Sequence, residues 1–297
     1  MIEQFVSRHG VRAFCHLLKN LHEQPEVLPP RLAVSQRTTY RWSLAEDLAG
    51  YRRAGVGAIG IWRQKLQACG EQRGIRMIRH SGLKVSSLSW AGGFTGASGY
   101  SFVEAVQDAR QAICTAAAIG ADCLVLTSGP RGMHTHRNAA RLLDDALHLL
   151  LGDATRFGVT LALQPMHTAY AAEWTFLNSI DSALDFVRRW NSPRLKLAFD
   201  AYHFGRETDL LTKIPQLAAE TAVVQLSDCG QNTASLDGNR CLPGNGSLPL
   251  GRIMQAFQAA RYSGRYEMDI WSDELWQTDY VQLLDECRSR FAVLSHR

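Results

Sequence analysis

Four short apolar runs, each turning polar only at its C-terminal end, constrain this chain more than any other feature. They are VTLALQPMH (Val159 to His167), LKLAFDAYH (Leu195 to His203), TAVVQLSD (Thr221 to Asp228) and RYEMDIWS (Arg265 to Ser272). Each is rich in β-formers and too short for an independent helix. Near-continuous apolar runs suit parallel strands buried on both faces, whereas a half-exposed antiparallel strand would alternate. If the four belong to one sheet, Gln164, Asp200, Gln225 and Asp269 at their ends converge on one site.

Four further runs precede these: LAVSQRTT (Leu32 to Thr39), AIGIW (Ala58 to Trp62), LKVSSLSW (Leu83 to Trp90) and CLVLTSG (Cys123 to Gly129). Between the strands lie amphipathic segments with readable starts. Ser43-Leu44-Ala45-Glu46 and Ser101-Phe102-Val103-Glu104 have capping-box spacing, in which hydroxyl and carboxylate satisfy free backbone N–H groups. Further helices are expected over 138–157, 179–190, 207–219, 249–261 and 273–293, several flanked by Gly or Pro. Eight strands alternating with helices imply an α/β fold, a (β/α)8 TIM barrel, and 297 residues with 46% hydrophobic content suffice for one. A doubly wound open sheet is the competitor, but no GxGxxG follows the first strand. Residues 1–30, closed by Leu28-Pro29-Pro30, read as a short N-terminal helical extension, and 31–297 as the barrel.

A net charge of +4, with 32 Lys and Arg spread along the chain, argues against a dedicated nucleic-acid binder. Seven scattered cysteines without a CxxC pair fit reduced thiols and give a zinc finger nothing to stand on. Glu3 and Arg8 interrupt the N-terminus where a signal peptide needs an unbroken apolar stretch, and no later run approaches about 18 apolar residues. The expectation is a cytoplasmic protein that does not span a membrane.

In such a barrel the reactive groups project from the C-terminal strand ends. Asp200, with His203 three residues on, suits a metal-bound carboxylate beside an imidazole; its plain alternative is a helix cap. Asp269, between Met268 and Ile270, needs a cation, a metal or donors to offset desolvation, and a salt bridge to an arginine would serve equally. Gln225 faces the lumen if its strand is regular, as ligand or as satisfied core amide, and Asp228 in the same segment is a candidate substrate contact. His134 and His167 lie just beyond strands, in reach of a ligand or simply solvated. Trp62, Trp90, Trp174 and Trp271 fall at or beyond strand ends, where indole faces stack on sugar C–H groups or pack loops. Arg240 is the single cation of the loop Asp237 to Gly246, placed to clamp a hydroxyl pair, carboxylate or phosphate as part of a lid, or to sit on the surface.

Taken in order, SLAEDLAGYRRAGVGAIGIWRQKL, SGLKVSSLSWAGGFTG, GVTLALQPMH, LKLAFDAYH, VVQLSDC, NRCLPGNGSLPL and MDIWSDELW resemble the xylose isomerase-like TIM barrels. That group includes sugar phosphate isomerases and epimerases and, more distantly, endonuclease IV. The resemblance implies a divalent ion held at the ends of strands five to eight by Glu, Asp, His and Glu, positions that fall on Gln164, Asp200, Gln225 and Asp269. It also implies substrate contacts at His203 and Arg240, a carbohydrate ligand and, by analogy, a homo-oligomer.

Two carboxylates and two amides would hold an ion more weakly than three carboxylates and an imidazole, and would favour Mg²⁺ or Mn²⁺ over Zn²⁺. Gln164 stands at a catalytic position yet accepts no proton. Asp269 is one methylene shorter than the usual glutamate. The functional expectation is therefore a sugar isomerase or epimerase using one main base among Asp269, His203 and His167. The alternatives are a related lyase or a metal-free barrel that binds carbohydrate without chemistry. DNA repair would need a denser cluster of histidines and carboxylates than these strand ends carry.

Overall fold

The computed structural model describes residues 31–230 and 240–295. The expected extension, residues 1–30, lies outside the described residues; the barrel unit begins at Arg31. Its strands are β1 (Leu32–Ser35), β2 (Ala58–Trp62), β3 (Lys84–Gly92), β4 (Cys123–Thr127), β5 (Thr160–Leu163), β6 (Leu195–Asp200), β7 (Thr221–Leu226) and β8 (Arg265–Met268). All eight pair in parallel, and β1 closes the sheet between β8 and β2. Helices alternate with the strands, which makes the chain a (β/α)8 barrel. None of the described helices is long and apolar enough to cross a membrane.

Local sequence explains the helix starts. Ser43 and Ser101 each form the reciprocal capping box with Glu46 and Glu104, opening helices Leu44–Arg53 and Phe102–Ile119. The helix expected over 273–293 instead runs Tyr280–Ser295, after a 3₁₀ turn at Leu275–Gln277. Two local devices move its start. The Trp276 indole N–H turns inward to donate to the Arg37 carbonyl, and the Asp279 carboxylate accepts from the backbone N–H groups of Val281 and Gln282.

Several strands end sooner than their apolar runs. The run from Leu32 to Thr39 is strand only to Ser35, where the Thr38 N–H turns back to the Ser35 carbonyl. Residues 36–39 therefore form a buried polar turn at the rim.

The barrel interior is layered because strand side chains alternate in and out. Cys123, Val125, Ala162, Ala198 and Val223 form a separate cluster of small apolar side chains inside it. Counting in twos, Gln164 stands one step above Ala162, Asp200 above Ala198 and Gln225 above Val223. On β8 the residue one step below Asp269 is charged, and it is Glu267. Ser86 and Ser87 donate to one Glu267 oxygen and Gln225 to the other. Gly60 lies so close that an added Cβ would stand 2.6 Å from that carboxylate. A side chain at position 60 would compete with Glu267 for the same space.

Candidate functional site

The four strand-end residues meet at one end of the barrel, each with 1% exposure or less. Gln164 and Gln225 touch directly: Gln164 Nε2 donates to Gln225 Oε1 at 2.8 Å, and Gln225 Nε2 donates to Glu267 at 3.1 Å. On the other side the Trp90 indole donates to Gln164 Oε1 at 3.2 Å. Both amides are thus satisfied core groups.

The two carboxylates each hold a guanidinium. Asp269 Oδ2 accepts from Arg37 Nη2 at 2.6 Å and lies 3.7 Å from Arg240 Nη1. Asp200 Oδ2 accepts from Arg240 Nη2 at 2.8 Å, and its Oδ1 accepts from the Tyr202 N–H, capping the short helix Ala201–Phe204. Both plain alternatives, the cap at Asp200 and the arginine salt bridge at Asp269, are therefore present. Aromatic faces hold the cations as well: Arg37 lies 4.3 Å from the Trp90 ring centre, and Arg240 the same distance from Tyr202.

These contacts set the protonation states. Burial pushes Asp200 up, but Arg240 and His203 beside it, with the hydrogen bonds it accepts, hold it below its ordinary value. Burial of Arg240 opposes its charge, yet Asp200 and Asp269 outweigh that and bind its proton more tightly. Glu267 is pushed up by burial and then by Asp269, against the pull of Ser86, Ser87 and Gln225. Burial pulls His203 down to about 3, with Asp200 opposing and Arg240 assisting, so the imidazole is neutral at neutral pH. Its Nε2 lies 3.6 Å from Asp200, and its buried Nδ1 has no partner among the described residues.

The His203 shift has a measurable consequence. Its pKa in the fold lies below the unfolded value of 6.5, so acid favours the unfolded chain, which takes up the proton first. The stability it contributes is present above pH 6.5 and is lost as pH falls from there toward 3. The loss is up to about 1.4 kcal/mol per pH unit. Calorimetric melting between pH 7 and 5 should show this slope, and His203→Gln should flatten it.

A divalent ion does not fit this donor set. Each carboxylate already binds a cationic side chain, and both amide oxygens already accept from protein N–H groups. Among the described residues no three His, Cys, Asp or Glu side chains are grouped to hold a metal. In this structure the expected ligand set, Gln164, Asp200, Gln225 and Asp269, is paired within the protein.

Over the ring lies a cavity of about 200 Å³, lined by Arg37, Gln164, His203 and Arg240 and walled by Trp90, Trp174 and Trp271. Tyr170 packs edge-on against His203 with ring centres 4.8 Å apart, and Glu173 stands exposed on the cavity wall. A wider groove of about 510 Å³, lined by Trp62 and Arg63, shares Trp90, Glu173 and Trp174 with it.

Arg240 reaches the cavity from an antiparallel pair, Asp228–Cys229 with Arg240–Cys241. Asp228, a candidate substrate contact, accepts from the backbone N–H groups of Cys229, Gly244 and Leu248 and so ties the two sides of this turn together. The expected lid falls partly on residues 231–239, outside the described residues.

Other candidates are not among the residues that line this cavity. His134 is bound at both ring nitrogens, to the Thr95 carbonyl and to Asn138. His167 is exposed and caps a 3₁₀ turn through Ala169 N–H. Trp62 lines the wider groove, with its ring centre 6.3 Å from that of Trp271.

Sequence reasoning passed over Arg37 and Glu267. The signal for Arg37 was the same one used elsewhere, a charged residue just past an apolar strand. For Glu267 it was spacing, since residues 267 and 269 share a strand face.

A family model described as xylose isomerase-like TIM barrel matches residues 51–290. A D-psicose 3-epimerase from Enterocloster bolteae is 30% identical over 143 residues, 41% of this chain. The match spans 44% of that enzyme's length. Among solved structures, protein SMc04130 from Sinorhizobium meliloti 1021 superimposes with a TM-score of 0.83 at 28% identity, covering 91% of this chain and 99% of that one. An IOLI protein with a binding zinc atom gives 0.78 at 17% identity, over 89% and 97% of the two chains. An L-ribulose 3-epimerase gives 0.72 at 21% identity, over 90% and 94%. At those identities the last two share the fold.

Proposed function

The chain belongs to the xylose isomerase-like TIM barrel family, and on that premise we propose that it acts as a carbohydrate isomerase or epimerase. In this reading it binds a small carbonyl-bearing sugar at the C-terminal rim and moves a proton beside the carbonyl. The observation that carries this is the convergence of Arg37, Arg240 and neutral His203 on one cavity walled by tryptophans. The partial match to a D-psicose 3-epimerase supports the choice of substrate class.

The indole walls take the C–H face of the sugar and exclude water. Arg37 and Arg240 face the carbonyl oxygen with fixed donors and stabilise the negative charge that grows there as the adjacent carbon loses its proton. His203, neutral and with Nδ1 unpartnered among the described residues, orients a sugar hydroxyl by accepting its hydrogen bond. The proton acceptor in this reading is Glu173, the carboxylate that lines the cavity; Asp269 lies behind the guanidiniums and holds Arg37 in place. Gln164 takes no proton, so one base serves both directions of transfer.

The test is incubation of the pure protein with ketoses, aldoses and inososes in D₂O. Deuterium is expected at a carbon next to the carbonyl, and Glu173→Gln should abolish its incorporation. A broad panel without exchange sinks the proposal.

A second reading, a barrel that holds a sugar without turnover, draws on Gln164 and Gln225. Both are locked in hydrogen bonds where a proton-transferring group would need to be free. Calorimetric sugar binding with no deuterium incorporation would favour it.

A further inference from the structure

We propose that Arg37, together with Arg240, takes the place of a divalent cation at this rim. The site then polarises a carbonyl or carboxylate oxygen of its ligand with two fixed guanidiniums and no resident metal. The inference deepens the proposed function by naming what supplies the positive charge, and it rests on reading the rim as the ligand site.

The geometry assigns this role in three steps. Asp200 and Asp269 are two buried carboxylates at strand ends, and uncompensated they would demand a cation. The two guanidiniums already meet them at 2.8 and 2.6 Å, so the pairs are neutral in sum. A dication entering here would gain no net attraction from them and would meet two fixed positive charges.

The guanidiniums also stand between the carboxylates and the ligand. Arg37 and Arg240 line the cavity, whereas Asp200 and Asp269 do not. The charge shown to a ligand at this wall is therefore positive. Arg37 uses Nη2 on Asp269 and Nε on Ser35, and its Nη1 has no hydrogen-bond partner among the described residues. That leaves a preorganised donor facing the position a ligand oxygen would occupy, held by the Trp90 ring behind it.

The same logic accounts for the amides. Gln164 and Gln225 are neutral and hydrogen-bonded to each other, which removes the negative charge that a metal site would draw on. Three changes act together: an arginine enters from the β1 turn, and two strand-end positions carry neutral amides. Each is compatible with the others only if no metal sits among them.

The experiment measures metal binding directly, independent of turnover. Protein purified without chelator is assayed for divalent ions, titrated with Mn²⁺ by following the free-ion EPR signal, and melted with Mn²⁺ or with EDTA. Wild type should carry no stoichiometric ion, leave Mn²⁺ free and melt at the same temperature in both. The variant Arg37→Met/Gln164→Glu/Gln225→His should bind Mn²⁺ at least about 100-fold more tightly. A stoichiometric ion in wild type, or melting raised by Mn²⁺ and reversed by EDTA, overturns the proposal.

Should the triple variant fail to fold, Gln164→Glu/Gln225→His with Arg37 in place gives the second test. It should still leave Mn²⁺ free, and Mn²⁺ binding by that variant overturns the proposal as well. The two readings fail separately: absent deuterium exchange sinks the isomerase, and a bound ion sinks the guanidinium pair.

Discussion

Replacing Lys65 by methionine should lower the free energy of unfolding by about 3–5 kcal/mol, measured by urea denaturation at neutral pH. Lys65 Nζ lies 2.9 Å from Asp47 Oδ2 and 2.7 Å from the Thr39 carbonyl, and Asp47 is fully buried. Asp47 also accepts from Gln36 at 2.7 Å and Thr39 at 2.6 Å. Burial pushes the Asp47 carboxyl up to about 6 against the pull of Lys65 and these donors, and burial likewise pulls Lys65 down. The pair is held near the limit of what the interior tolerates.

Methionine fills the space and leaves the carboxylate without its cation. The deficit should shrink in acid, because protonating Asp47 removes the buried charge. The double variant Lys65→Met/Asp47→Asn should recover most of the loss. A single variant as stable as wild type would show that the three donors do not share Asp47 as described. The network also fixes residues 36–39, so the same variant should weaken ligand binding through Arg37.

Asp228→Ala should cost about 3–5 kcal/mol, since it removes three charge-assisted hydrogen bonds to backbone N–H groups at once. Those N–H groups belong to Cys229, Gly244 and Leu248, two of which lie on the far side of the Arg240 turn. Asp228→Asn keeps an acceptor for part of that set and should lose about half as much. Because the Asp228–Cys229 segment pairs with Arg240–Cys241, the alanine variant should also release Arg240 from Asp200. Ligand affinity should then fall further than in a core variant of equal instability. Chemical denaturation beside calorimetric binding separates the two effects, and equal losses in both would refute the positioning role.

The barrel was legible because its strands are buried on both faces and so read as unbroken apolar runs. Capping boxes at Ser43 and Ser101 were legible because they are local, with both partners inside four residues. The site was less so, since its contacts join residues far apart in sequence. Arg37 meets Asp269 across 232 positions, and a lone arginine after a strand looks like any solvated turn residue until its partner is known. Glu267 is held by Ser86 and Ser87 from the opposite side of the barrel, a meeting that only closure of the sheet brings about. His134 looked like a ligand contact because a sequence displays its type and position, not the Thr95 carbonyl and Asn138 amide that occupy it.

The chain of side chains from Trp90 through Gln164 and Gln225 to Glu267 has a direction, and every donor in it points the same way. A carboxylate only accepts, so Glu267 obliges Gln225 to turn its NH₂ downward and its oxygen toward Gln164. Gln164 must then turn its own NH₂ to Gln225, which leaves its oxygen toward Trp90 and the cavity. One anion beneath the floor thereby dictates the face that a neutral residue two links away shows to a visitor. At that point on the wall a hydroxyl is received as a donor, and a ligand with a bare acceptor there is turned away.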